Sequence, residues 1–371
     1  MIQITFEGER MLVRTRVALV TATALSCAGL LGGAPATAVA PTATETPAKV
    51  TVVASGLEGP RQLSAKDGYL YVAESDAARA TRVRLSNRAK RVVVRDVPNA
   101  QGVTKIGSRL YLAAGETPPD VPVPPVKGET RLYVAKPFAK PRVFANPYAF
   151  ELKYNPDNQT QFGPDGKPLD AISNPYFLIP RRGPGFALMA GAGGNDVLAV
   201  SKKGKLTPFF VPSAITTGDC AKQKQNSDAG PSCDPVPTGL AYGPKSLLYV
   251  SGLSSEVPGE GRVYVVDKNG KLVKTLTGFD SPTGVAVAPD GTIYVSEALA
   301  GLAGPPPIDD TVGRIVKVAP DGKRTVAQVS QPTGLLWSGG KLYASTRALY
   351  GAFNQQPGKG QVVSVDLASF K

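Results

Sequence analysis

The sequence has 371 residues, a formal net charge of +13 and no histidine. Without an imidazole, Ser-His-Asp and Cys-His catalysis and most zinc or copper sites are excluded. The chemistry that remains is that of carboxylates, amides, tyrosine, lysine and arginine.

The first segment has the pattern of an export signal. Two arginines, at 14 and 16, precede an apolar run over 17–31, and an Ala-Thr-Ala box ends at Ala38. We therefore expect a signal peptide over 1–38, a secreted mature protein and a flexible linker over 39–48. The apolar run is too short and too rich in small residues for a convincing membrane span.

Two alternatives at this end stay open. Met11 stands directly before the basic residues, so translation can start there instead of at Met1. Cys27 follows a poor version of a lipoprotein cleavage box, which would make the protein a lipoprotein.

Six units then repeat along the chain. Each has a Pro or Gly turn, a short apolar strand, a tight turn and a strand that ends in an aromatic residue and valine or in a close variant of that pair. The units cover residues 59–72, 101–112, 174–189, 237–250, 282–295 and 332–344. A unit of this kind that recurs every 40 to 75 residues is typical of a β-propeller.

A second pair of strands follows in five of the units. The predicted pairs are 81–85 with 91–95, 131–135 with 142–145, 197–200 with 206–210, 262–266 with 272–276, and 314–318 with 324–329. The sixth unit has only a third strand, 361–366, and residues 50–54 are the natural replacement for its missing outer strand. The sequence thus predicts an all-β, six-bladed propeller of four-stranded antiparallel blades over 49–371, without an amphipathic helix of useful length.

One face of this propeller should carry the function. The loops between second and third strands lie on the same face as the crossings between blades, and that face receives almost every insertion. The insertions on this long-loop face are 116–128, 147–173, 212–236, 253–261, 299–312 and 346–360. These loops are rich in acidic residues and the blades in basic ones, although Asp is also common simply because it favours turns. The long-loop face therefore suits a cation or a neutral polar ligand.

Two cysteines remain after the signal. Cys220 and Cys233 form an even pair, and a disulfide persists in an oxidising compartment. We expect them to be bonded and to order the crossing around them, with two free thiols as the alternative.

Three motifs in the middle of the chain are similar to those of one known family. They are Tyr-Ala-Phe-Glu at 148–151 with Asn-Pro-Asp at 155–157, Ser-Asn-Pro-Tyr at 173–176, and Ala-Gly-Gly-Asn-Asp at 192–196. In this order they resemble the ScyD/ScyE family of exported proteins. The resemblance implies an extracellular six-bladed propeller shaped like NHL-type propellers and implies no reaction. The chain departs from the family by having Met-Ala-Gly where an Asp commonly precedes the last motif.

Five residues are candidates for ligand binding. Glu74 and Glu297 end equivalent strands towards the long-loop face, where they could instead pair with Arg82 or Arg314. Asn174, Asn195 and Asp196 lie in the family-like motifs, and the two asparagines could instead cap turns.

Two functions are consistent with these residues. The first is a binding or scaffolding module of the cell envelope that reads a ligand or partner with its long loops. The alternative is a lactonase-like hydrolase with a calcium-type site of oxygen ligands, but no three acidic residues recur at matched blade positions. We expect no catalytic residue, no required cofactor, no nucleic acid and a monomer. The basic blades could contact anionic wall polymers, although a generally cationic soluble surface explains the same charge.

Overall fold

A computed structural model of the chain describes residues 46–117, 127–224, 230–304 and 307–371. The expected signal peptide, Met11, Cys27 and most of the expected linker lie outside these residues. The first strand of the described chain, β1 (Val50–Leu57), belongs to the sheet of the last blade. Blade 1 is built from the next four strands, β2 (Pro60–Lys66), β3 (Tyr69–Glu74), β4 (Arg79–Arg84) and β5 (Lys90–Val94).

Blades 2 to 5 each contain four consecutive antiparallel strands. Blade 2 is β6 (Ala100–Ile106), β7 (Arg109–Ala114), β8 (Arg131–Ala135) and β9 (Arg142–Ala145); blade 3 is β10 (Pro175–Pro180), β11 (Ala187–Gly191), β12 (Asp196–Val200) and β13 (Leu206–Phe210). Blade 4 is β14 (Pro237–Tyr242), β15 (Leu248–Gly252), β16 (Gly261–Val266) and β17 (Leu272–Phe279); blade 5 is β18 (Pro282–Val287), β19 (Ile293–Glu297), β20 (Arg314–Val318) and β21 (Arg324–Gln328).

Blade 6 closes the ring with both ends of the chain. Its strands β22 (Leu335–Ser338), β23 (Lys341–Thr346) and β24 (Gly360–Val365) are followed by β1, which pairs antiparallel with β24 from Val50 opposite Val365 to Leu57 opposite Gly360. The predicted six-bladed propeller and its closure are thus confirmed. A parallel bridge from Pro47 to Gln328 also ties the start of the described chain to blade 5.

The Pro-Thr-Gly repeats join neighbouring blades near the axis. Thr238 donates its hydroxyl to the carbonyl of Pro282, Thr283 to that of Pro332, and Thr333 to that of Pro60. The following glycine lets the backbones approach: a Cβ on Gly284 would lie 2.4 Å from the carbonyl oxygen of Thr333. The repeat seen in the sequence is therefore a hydrogen-bonded contact from blade 4 through blades 5 and 6 to blade 1.

Between the blades, the repeat tyrosines are part of the apolar core. Tyr71 packs with Val103 and Leu110 of blade 2, and Tyr294 packs with Leu335 and Leu342 of blade 6. Alternating apolar residues of each strand thus bury one blade against the next.

Two short α-helices lie in the described residues, and with eight and five residues they do not contradict the expectation of no amphipathic helix of useful length. They are α1 (Pro147–Tyr154) in the crossing from blade 2 to blade 3 and α2 (Tyr350–Asn354) in blade 6. Helix α1 has no apolar stripe, because Pro147 and Glu151 are its buried residues. None of the helices in the described residues has the length and hydrophobicity needed to span a membrane.

Candidate functional site

Three segments with the family-like motifs meet on the long-loop face of blade 3. The carbonyl of Ser173 accepts hydrogen bonds from the backbone of Gly193 and Gly194, at 3.2 and 3.3 Å, and the carbonyl of Asn174 accepts one from Ala192 at 3.0 Å. Helix α1 lies over the same turn, because a Cβ on Gly194 would lie 2.7 Å from Glu151 Oε1. The structure thus brings together residues from three parts of the chain.

Helix α1 is positioned by the asparagines at its ends. Asn146 caps the first turn by accepting a hydrogen bond from Ala149 N at 3.0 Å, and Pro147 occupies the first turn, where its missing N–H costs nothing. Asn155 ends the helix in the left-handed conformation, with φ of 41°, and donates its N–H to Glu151 O. The helix therefore begins and ends so that Glu151 points into the protein.

Glu151 and Asp196 form a buried carboxyl pair. Their side chains are 1 % and 0 % exposed, and among the described residues no hydrogen-bond partner reaches any of the four carboxylate oxygens. Burial raises the pKa of Glu151 to about 8 and the pKa of Asp196 well above its usual range, and each carboxyl acts on the other. One proton can be shared between them.

Glycine at two positions makes room for this pair. A Cβ on Gly191 would lie 2.5 Å from Asp196 Oδ1, and one on Gly194 would lie 2.7 Å from Glu151 Oε1. Since neither glycine has a positive φ, the reason for glycine here is space rather than backbone conformation.

Asn195 connects this turn to both neighbouring crossings. Its Nδ2 donates to Asp157 Oδ2 at 3.0 Å, and its Oδ1 accepts from Val236 N at 3.0 Å. The residue has a left-handed φ of 49°, which asparagine tolerates well. Asn195 therefore joins three segments, which is more than the turn cap that the sequence left open.

Asn174 is held by a reciprocal contact with blade 2. Its Oδ1 accepts a hydrogen bond from Glu116 N at 3.0 Å, and Glu116 Oε2 accepts from the backbone of Ser173 and Asn174 at 2.9 and 3.2 Å. Burial raises the pKa of Glu116, while the backbone donors oppose the rise. Asn174 thus supports the Ser173 segment.

A further buried carboxyl comes from the second crossing. Asp234 is 2 % exposed, accepts a hydrogen bond from Gln159 Nε2 and lies beside the exposed Asp170. Burial, followed by the charge of Asp170, raises the pKa of Asp234 to about 7. The disulfide between Cys220 and Cys233, which confirms the predicted pairing, ends one residue before Asp234 and orders this crossing.

A cleft of about 280 Å³ opens between these segments. Asp157, Asn158, Gln159 and Asn195 supply its polar groups. Its other walls are Pro156, Val211, Pro212, Ser213, Ala214 and Pro235, so no basic side chain lines it. This volume is slightly below the range of about 300–1,000 Å³ that is usual for small-molecule sites.

Comparison with solved structures shows the same fold at low sequence identity. Regucalcin from Agrobacterium tumefaciens, a calcium-binding protein, is 14 % identical with a TM-score of 0.53, over 87 % of this chain and 95 % of that one. A gluconolactonase from Xanthomonas campestris is 12 % identical with a TM-score of 0.52, over 86 % and 90 %.

A third structure, virginiamycin B lyase from Staphylococcus aureus, is 10 % identical with a TM-score of 0.51, over 86 % of this chain and 99 % of that one. No model of a protein family matches the chain, and no curated protein matches it. At these identities the similarity shows the fold alone.

Two of the predicted ligand residues, Glu74 and Glu297, lie in ion pairs outside blade 3. Glu74 accepts two hydrogen bonds from Arg79, at 3.0 and 2.7 Å, one from Thr81 and one from Glu58 N. The partner is therefore Arg79, because it stands opposite Glu74 in the sheet, and not the Arg82 that the sequence suggested.

In blade 5 the same arrangement recurs. Glu297 accepts from Arg314 at 2.6 Å and from Asp280 N at 2.8 Å. Both glutamates are buried at strand ends in their own ion pairs, in blades 1 and 5, and the structure does not join them to the residues of blade 3.

Several residues of the site were not candidates in the sequence. Glu151 and Asp157 stood inside the quoted motifs, so the motifs themselves were the signal that could have found them. Gln159 and Asp234 lie in crossings without a strand pattern, and only the fold brings these two residues together.

Proposed function

We propose that this chain is an exported binding module of the cell envelope that takes a small, uncharged, hydroxyl-rich ligand of the saccharide class in the blade 3 cleft. The observation that carries the proposal is the lining of that cleft. Carboxylate and amide groups of Asp157, Asn158, Gln159 and Asn195 can accept and donate hydrogen bonds to hydroxyls, beside apolar proline walls.

The charge around the cleft selects against anions. Asp157 is acidic, Asp170 and Asp234 lie nearby, and the lining has no basic side chain. A phosphate, sulfate or carboxylate would meet like charge without a basic side chain to neutralise it, whereas a neutral hydroxyl-rich ligand needs no such partner.

Export and family membership belong to the same proposal. The signal-like N-terminal segment supports secretion, and so does the disulfide, because such bonds persist in oxidising compartments. The convergence of the three motif segments on one site supports membership of the ScyD/ScyE family. The exposed Arg84, Lys90 and Arg91 of blade 1 support a contact of the basic blades with anionic wall polymers.

The hydrolase alternative loses its first ligand candidates in this structure. Glu74 and Glu297 are neutralised by Arg79 and Arg314, so their carboxylates are engaged already. We therefore propose binding in preference to catalysis.

Binding of neutral mono- and disaccharides, measured by calorimetry beside the same sugars carrying a carboxylate, tests the proposal. Ser213→Trp should fill the cleft and abolish binding, whereas Ser108→Trp, at an exposed serine in the β6–β7 turn of the opposite face, should leave it unchanged. Asp157→Asn should weaken binding about tenfold, the value of one charge-assisted hydrogen bond. Equal binding by both tryptophan variants would place the ligand elsewhere.

A further inference from the structure

The Glu151–Asp196 pair is separate from the cleft lining, and no basic side chain described so far neutralises it. Both side chains are at least nine-tenths buried and their four carboxylate oxygens lack hydrogen-bond partners in the described part of the chain. An unpaired buried carboxylate is costly, and two in contact are more so.

Among the described residues, the charged groups that act on the pair are acidic. Asp157 acts on both carboxyls, and Asp170 acts on Asp157 in turn. A structural ion pair of the kind that neutralises Glu74 is thus not what balances Glu151 and Asp196.

The surroundings fit an ion bound through oxygen. Ser173 Oγ is buried and also lacks a partner, in the segment whose carbonyl holds Gly193 and Gly194. Gly191 and Gly194 leave the carboxylates against bare backbone, where a Cβ would collide with them. Carboxylate, hydroxyl and backbone oxygens are the ligands that calcium takes, together with water.

We propose that Glu151 and Asp196 hold a divalent cation of the calcium class, which ties helix α1 to the β11–β12 turn. Among the residues that the structure describes, no three acidic or thiol side chains are arranged around one metal-sized space. The site is therefore a two-carboxylate site, completed by neutral oxygens such as Ser173 Oγ and by water.

The cation would act on structure rather than on the ligand. Glu151 lies in α1, shortly before the cleft residues Pro156 and Asp157, and Asp196 begins β12 directly after Asn195, so an ion between them would hold these two segments in place. The inference goes beyond the proposed function and does not require a saccharide ligand.

The test uses the mature chain freed of metal with a chelator and titrated with calcium chloride alone. We expect one calcium per chain by calorimetry and a rise of several degrees in the melting temperature, because a ligand of the native state stabilises it. Glu151→Gln and Asp196→Asn should each lose both signals. Asp165→Asn, at an exposed carboxylate of the same crossing that pairs with Lys167, should keep them.

Two results would overturn the inference: no calcium response of the unaltered chain, or a response that persists in both carboxamide variants. In the first case, variants that also melt higher than the unaltered chain in chelator would show that the pair shares a proton. If a carboxamide variant does not fold, Glu151→Asp and Asp196→Glu replace it, with at least a tenfold loss of calcium affinity expected and an unchanged affinity counting against the site. Failure of saccharide binding with intact calcium binding would affect the proposed function alone.

Discussion

The hydroxyl of Thr333 in blade 6 donates a hydrogen bond of 2.8 Å to the carbonyl oxygen of Pro60 in blade 1. The contact is buried and joins residues 273 positions apart. It closes the ring of blades at the axis, as the pairing of β1 with β24 closes it at the outside.

Thr333→Val should therefore destabilise the propeller by about 1–3 kcal/mol, because the carbonyl of Pro60 stays buried without its donor. Denaturant unfolding measures the loss. Thr207→Val, at an exposed position of β13, serves as the control and should change stability by less than about 0.5 kcal/mol. Equal effects of the two substitutions would show that the inter-blade contact contributes nothing.

Removal of β1 tests the outer closure. Deletion of residues 49–55 should lower the melting temperature strongly and promote aggregation, because β24 then becomes an open edge and the buried Val53 and Ala54 are lost. Deletion of 39–45 is the comparison and should have little effect. Similar small losses would argue against the closure as a source of stability.

Glu297→Ala should cost about 1.5–3 kcal/mol, the value of a hydrogen bond to a charged group, because Arg314 is 29 % exposed and keeps Asp280 as its partner. A double-mutant cycle with Arg314→Ala isolates the coupling between the two side chains. Saccharide and calcium binding should stay unchanged at temperatures where the variant is folded. A loss of ligand binding without a loss of stability would instead place Glu297 in a functional site.

The ionisation of Asp234 should make stability depend on pH. Its pKa is raised to about 7 by burial, so the folded protein holds this proton more tightly than the unfolded chain. The stabilising protonation is present at low pH and is lost as the pH rises towards about 7. Asp234→Asn should therefore raise the melting temperature at pH 8 relative to the unaltered chain and have a much smaller effect at pH 4.

Thermal melts from pH 4 to 8 measure this difference. Asp219→Asn, at an exposed residue of the same crossing, is the matched control, because its pKa is lowered by Lys222 and should give no such gain. A variant that is less stable than the unaltered chain at pH 8 would contradict the prediction.

The fold could be predicted from sequence because each blade carries its own local signal. The Pro-Thr-Gly turns and the strands with tyrosine recur in register, and the same residues form the contacts between blades that involve Thr238, Thr283 and Thr333. Closure was predictable as well, since the last unit lacks one strand and residues 50–54 have no other partner in the pattern.

The site was less accessible for a physical reason. Glu151 reaches Asp196 through a helix of eight residues without an apolar face, so hydrophobic periodicity gives no sign of α1. Glu74 and Glu297 were attractive because they end equivalent strands, yet that same equivalence places an arginine opposite each in the neighbouring strand. The glutamates at repeated positions form ion pairs within their blades, whereas the residues of the candidate site come mainly from the irregular crossings.

The shared last sheet also constrains the order in which the molecule can be completed. Val50 in β1 pairs with Val365 in β24, so β1 has no partner strand until residues 360–365 have been synthesised. Contacts between such distant residues form slowly, and an exposed strand invites pairing with other chains in the meantime. During synthesis, a partly emerged copy is thus an open ribbon of blades, and its two free edges come together when β24 becomes available to pair with β1.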